Sequence, residues 1–203
     1  PGSSALLDGL VGAVGQHLPA IAFDLPGQGE SNPMDGQPTD VGHWARTSVK
    51  LLAALGVETF HLYGHNTGAM VAVEMARVVP TRVKSLTLDG PMCLSPAQRT
   101  AWAQKWLEGV DPVAPTWDGT HLLRIWHMRR DMGLWWPWFE KHHEHQKTGV
   151  PHIDPQAIHL EVREMVKQVS GFTPAWRAAL AYPMDAALAK TPQACLMMCS
   201  EQD

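Results

Sequence analysis

The sequence predicts an α/β fold, a mostly parallel sheet with flanking helices that carries a helical cap insertion. Three observations predict it. Short apolar runs alternate with segments whose apolar residues recur at helical spacing. A glycine-bracketed loop joins one such run directly to one such segment. Seven of the nine tryptophans crowd between Trp102 and Trp138, where no strand alternation is visible.

The elements follow in order. Apolar residues from Ala5 to Leu18 fall near helical period, and residues 20–25 (AIAFDL) then read as a short buried strand ended by Pro26-Gly27-Gln28-Gly29. Asp40 is placed to cap a helix over 41–55, with Gly56 where a left-handed C-terminal residue is wanted. Residues 59–63 form the next strand. After the loop Gly64-His65-Asn66-Thr67-Gly68, the positions of Met70, Val73, Ala76 and Arg77 set a helix over 69–79 that Pro80 stops, and residues 83–88 make another strand. Residues 92–173 read as a mostly helical, tryptophan-rich cap. A helix over 174–189 is interrupted at Pro183, and residues 194–199 return to a buried strand. The core is thus expected in two parts, 1–91 and 174–203.

Composition narrows the function classes. A net charge of -4 and no long Lys/Arg cluster give no footprint for nucleic acid. No apolar run reaches the roughly 18 residues that span a bilayer, and Pro1-Gly2-Ser3-Ser4 lacks the charged and apolar regions of a signal peptide, so a cytoplasmic protein without membrane partners is expected. Cys93, Cys195 and Cys199 are not in metal-ligand spacing, and the last two are expected to be buried thiols. His142, His143, Glu144 and His145 raise the question of zinc, but no HExxH pattern or paired cysteine supports it, and a solvated polar turn is favoured. No motif asks for a cofactor.

The loop carries the chemistry. A strand running straight into a helix through Gly64-x-Asn66-x-Gly68 is a sharp turn whose central residue is strained, so its flanking residues are expected to need glycine's lack of a side chain. The central side chain then projects over the sheet, and the helix from Thr67 points its N–H groups at the same spot.

These residues resemble the α/β-hydrolase superfamily, in particular the capped branch of dehalogenases, epoxide hydrolases and C–C hydrolases. Phe23-Asp24-Leu25-Pro26-Gly27-Gln28-Gly29-Glu30-Ser31 is similar to its D-x-x-G-x-G-x-S turn, GHNTG to its G-H-[SD]-x-G nucleophile elbow, and Leu86-Thr87-Leu88-Asp89-Gly90-Pro91 to the opening of its cap. The resemblance implies a small, mostly apolar ester, halide or related small molecule as substrate. It also implies that Pro1-Gly2-Ser3-Ser4 follows an oxyanion loop, that the catalytic histidine lies beyond Asp203, and hence that the protein extends past both ends.

Asn66 occupies the nucleophile position, where the family has Ser or Asp; an amide is a poor nucleophile, so the alternatives are a substrate-trapping variant, a water-using enzyme or a non-catalytic ligand-binding protein. The Thr67 amide is the oxyanion donor. His65 is structural by resemblance, with a general base as its other role. Asp203 is the acid by position and Asp89 the alternative. Trp126, Trp135 and Trp136 are candidates to line an apolar pocket, although Trp135-Trp136-Pro137-Trp138 cannot all face inward from a helix. Arg124, Arg129 and Arg130 read as a solvated or salt-bridged face, with a carboxylate-binding role as the alternative.

Overall fold

The computed structural model describes residues 2–32, 39–109, 114–149 and 153–199. Its helices and strands are α1 (Asp8–Gly15), α2 (Val41–Ala54), β1 (Phe60–His65), α3 (Thr67–Val78), β2 (Val83–Asp89), α4 (Pro96–Gly109), α5 (Thr120–Met132), α6 (Pro155–Val166), α7 (Phe172–Ala181), α8 (Met184–Leu188) and β3 (Ala194–Met198). The chain divides into two compact units, Pro1–Met34 with Gly109–Thr173, and Asp35–Glu108 with Pro174–Glu201.

The second unit holds a parallel sheet in the order β1-β2-β3. Its helices form where the sequence signals them. Asp40 caps α2 by accepting the His43 N–H at 2.7 Å, and Gly56 takes φ 73° just after the helix. Val41, Trp44, Ala45, Ser48 and Leu52 place the buried face of α2 on one stripe. Helix α3 lies against β1 and β2 and is buried nearly all round through Ala69, Met70, Val71, Ala72, Val73, Met75 and Ala76, which explains its near-continuous apolar sequence. Leu86 and Leu88 of β2 complete this core, and Trp106 stacks on Trp176 with ring centroids 4.1 Å apart. Pro183 separates α7 from α8.

Strand β3 corrects one expectation. Cys195 and Cys199 are exposed, and so are Leu196, Met197 and Met198: α3 covers β1 and β2, whereas among the described elements β3 packs chiefly on its ladder partner β2.

The first unit contains no strand among its described residues. Residues 20–25, expected as a buried strand, run without ladder pairing; lacking neighbouring strands, they are fixed instead through Asp24. Its carboxylate accepts the backbone N–H groups of Ser4 (2.6 Å) and Glu30 (2.8 Å), and the Ser31 hydroxyl donates to its carbonyl (2.9 Å). A Cβ on Gly29, at φ 54°, would come within 2.2 Å of that carboxylate. This accounts for the Asp, second Gly and Ser of the D-x-x-G-x-G-x-S turn.

Helices α5 and α6 pack together; Ile125 and Met128 of the first and Ile158 and Met165 of the second are buried, and Arg129 and Glu161 form an ion pair. Buried Asp131 is held by Arg130 (2.6 Å) and Lys141 (2.6 Å). Buried Glu164 accepts from Ser3 Oγ (2.5 Å), Lys167 Nζ (2.7 Å) and Arg163 Nε (2.8 Å), tying the start of the described chain to α6. Arg129 and Arg130 are therefore in salt bridges. No described helix is long and apolar enough to cross a membrane.

Candidate active site

The elbow forms where β1 meets α3. Asn66 takes φ 49° and ψ −113°, the single positive φ of a non-glycine residue among the described residues. It is held there by its N–H, which donates to the Asp89 carbonyl at 2.8 Å, and by its carbonyl, which accepts from the Ala69 N–H at 3.0 Å. Gly64 is buried, and a Cβ on it would lie 2.3 Å from the Gly68 carbonyl oxygen and 2.6 Å from the Ala69 nitrogen. Gly68 differs: a Cβ there would meet nothing within 4 Å. The expectation that both glycines avoid collisions thus holds for Gly64 and is corrected for Gly68. A third glycine, Gly90, is required for a different reason: it takes φ 59°, and a Cβ there would sit 2.7 Å from the Asn66 side-chain oxygen Oδ1.

The side chains around Asn66 form one hydrogen-bonded line. Asn66 Nδ2 donates to His65 Nε2 at 2.9 Å, His65 Nδ1 faces Asp89 Oδ2 at 3.0 Å, and the Tyr63 hydroxyl donates to the same oxygen at 2.7 Å. With Nε2 accepting, the His65 proton resides on Nδ1 and is donated to the carboxylate. Partial burial of the ring, then the hydrogen bond to Asp89 and its negative charge, push the Tyr63 hydroxyl from 10.0 up to about 12. Asn66 and His65 are exposed, so the line is reachable from solvent.

A slip in the strand register makes this line possible. Phe60 pairs with Val83, but Leu62 pairs with Leu86, so one extra residue of β2 is taken up between them. Continued without the slip, the pairing would set His65 beside Leu88, whose side chain points into the core. With it, His65 lies beside Asp89.

Asp89, Thr67, His65 and Asn66 are thus brought together. Thr67 opens α3, so its N–H is among the first four of the helix, which have no intrahelical acceptor. Asp203 lies outside the described residues. Trp126, Trp135 and Trp136 belong to the other unit, where each is half-buried, and Trp138 is buried. Lys141 approaches the Trp135 ring at 5.9 Å and Lys147 the Trp136 ring at 6.0 Å. His143–His145 form a single 3-10 turn, and His145 pairs with Glu140 at 2.7 Å. Among the described residues no three His, Cys, Asp or Glu side chains gather to hold a metal ion. Sequence reasoning missed Tyr63 as a partner of Asp89. Its signal was the alternation of His61, Tyr63 and His65 along one face of β1.

A parallel sheet whose strand turns through a strained residue into a buried helix defines an α/β protein. Residues 1–121 match the family described as the alpha/beta hydrolase fold, and the chain belongs to that family. It is 41% identical over 68 residues to the dihydrolipoyllysine-residue acetyltransferase component of the acetoin cleaving system of Pseudomonas putida, a match covering 34% of this chain and 18% of that protein. It is 34% identical over 74 residues to epoxide hydrolase 1 of Oryctolagus cuniculus, covering 36% of this chain and 16% of that protein. The matched segments therefore span only a quarter or less of these curated relatives. Among solved structures, the epoxide hydrolase CorEH superposes with a TM-score of 0.69 at 17% identity, over 100% of this chain and 72% of that one. At that identity the likeness is one of fold.

Proposed function

We propose that the chain is a capped α/β-hydrolase acting on a small, mostly apolar ester, halide or related molecule at the Asn66 elbow. The observation that carries the proposal is the elbow itself. Asn66 is held in a strained conformation at the mouth of α3, with the Thr67 N–H beside it and a histidine–carboxylate pair at hydrogen-bonding distance. Asp89 serves as the acid, with Asp203 as the alternative. In this reading residues 92–173 are the cap, in which Trp126, Trp135 and Trp136 are half-buried. A cytoplasmic setting belongs to the same proposal, supported by three free cysteines.

A second reading is favoured by Asn66 specifically. An amide does not form an ester intermediate, so a ligand-binding protein that has lost its nucleophile keeps the same turn. Hydrolysis of an activated ester and a halogenated acid by the protein, by Asn66→Ser and by Asn66→Asp separates the two. Turnover by the unsubstituted protein supports the hydrolase. Turnover confined to a substituted form supports the binding protein, as does a small ligand that raises Tm without reacting.

A further inference from the structure

We infer that His65, seated on Asp89, is the general base of this site, and that the attacking nucleophile is a water molecule rather than any atom of Asn66. The inference rests on the hydrolase reading above and names the group that moves the proton. Four observations carry it. Asp89 fixes the Nδ1–H of His65 at 3.0 Å, which leaves the Nε2 lone pair directed away from the carboxylate. Tyr63 donates to the same carboxylate oxygen at 2.7 Å and so holds Asp89 in place from a second side. The Asn66 amide nitrogen, 2.9 Å from Nε2, marks a position where a donor to that lone pair fits, and the His65 side chain is 53% exposed, so a water can take that position when the amide turns aside. The Thr67 N–H opens the adjoining helix in the same turn.

The step balances for a small ester. Water oxygen bonds to the carbonyl carbon as His65 Nε2 takes one of the water's protons, and the carbonyl electron pair moves onto the oxygen facing the Thr67 N–H. The adduct then collapses, and the bond from carbon to the alkoxy oxygen breaks. The imidazolium returns its proton to the leaving alkoxide, giving acid and alcohol with His65 neutral again. Asp89 stays ionised throughout, stabilising the imidazolium and holding the Nδ1–H tautomer. The register slip between β1 and β2 places this pair at the elbow, which a purely local fold signal at Gly64 and Gly68 would not require.

The test uses p-nitrophenyl acetate with the protein, His65→Gln, Asp89→Asn, Asn66→Ser and the double variant Asn66→Ser/His65→Gln, each checked for a retained folding transition. The expected result is a loss of about 10²-fold or more in kcat, with KM little changed, for His65→Gln, and a solvent deuterium isotope effect on the unsubstituted protein that this variant loses. Asp89→Asn, which does not alter His65 itself, lowers kcat and moves the imidazole proton to Nε2, read directly as a change in the ¹⁵N spectrum of His65. Turnover by the protein that survives His65→Gln within about a factor of two overturns the inference and leaves the hydrolase reading standing. If only Asn66→Ser turns over, the hydrolase reading of the unsubstituted protein fails. Attack by water falls with it, and the assignment of His65 as base stands if the double variant is inactive and falls if it is active. If nothing turns over, both fall. If His65→Gln does not fold, the tautomer and rate of Asp89→Asn decide alone, and a Nδ1–H tautomer with unchanged rate overturns the assignment.

Discussion

Replacing Gly64 with alanine asks whether the elbow is held by backbone contact. The new Cβ would lie 2.3 Å from the Gly68 carbonyl oxygen, 2.5 Å from its carbon and 2.6 Å from the Ala69 nitrogen, against 3.4–4 Å for ordinary contact. All three atoms are main chain in the first turn of α3. That turn has little room to withdraw, because Ala69 and Met70 behind it are 0% and 1% exposed. Overpacking a core costs about 1–3 kcal/mol, and rigid backbone puts this site at the upper end, about 3 kcal/mol. For a chain of this size that corresponds to a fall in Tm of roughly 6–12 °C. Gly68→Ala is the matched control: its Cβ meets nothing within 4 Å, and alanine in a helix is favoured over glycine by roughly 0.5–1 kcal/mol, so Tm is expected to rise by about 1–4 °C. Thermal unfolding of both variants by circular dichroism reads the difference. A Gly64→Ala protein within about 2 °C of the unsubstituted one, or two alanines of equal effect, would refute the claim that only Gly64 is fixed by contact.

Two further outcomes concern titration. Tyr63 is raised to about 12 in the folded protein, so it keeps its proton where the unfolded chain has lost it, and the stability it contributes is present below pH 10 and lost as pH rises from 10 towards 12. Ultraviolet titration of Asp89→Asn is expected to return its midpoint towards 10, and an unchanged midpoint would mean that Asp89 is not its partner. Glu164 is lowered to about 2, first by the hydrogen bond from Lys167, then by those from Ser3 and Arg163. Its stabilisation is full above the ordinary glutamate value of 4.5 and is lost as pH falls towards 2, on the order of 3 kcal/mol. Denaturant melts of Glu164→Gln should lose this acid limb, and a persisting limb of the same depth would assign it to other carboxylates.

Local chemistry was legible because it is written in adjacent residues. Asp40, Gly56, Pro80 and Pro183 each fix a helix end through their own backbone or side chain, and the structure places those ends within a residue or three of expectation. Pairing was less legible. Residues 20–25 and 194–199 are similarly apolar, yet the first takes no ladder partner and the second is an exposed edge strand, since burial depends on what lies alongside and the local pattern carries none of that. The candidate site falls between these cases. Asn66, Thr67 and Gly64 follow from the motif, whereas the contact of His65 and Tyr63 with Asp89 depends on a one-residue register slip that no periodicity announces.

That slip bears on how Asn66 should be interpreted. The hydrogen bonds and the close approach that hold the elbow in its strained conformation are main chain: the Asp89 carbonyl, the Ala69 N–H, and the Gly68 carbonyl against Gly64. A turn held this way persists whatever side chain stands at its centre, and asparagine is among the residues that tolerate positive φ best. The backbone of the elbow is therefore equally compatible with a working nucleophile and with a lost one. The side-chain line is not neutral in the same way. A histidine oriented by a carboxylate that itself receives a second donor is more organisation than a folding turn needs, and the asparagine at its far end occupies the lone pair a base would use. Function at this site accordingly turns on whether His65 Nε2 can exchange the Asn66 amide for water, and the rate and tautomer of Asp89→Asn report on it directly.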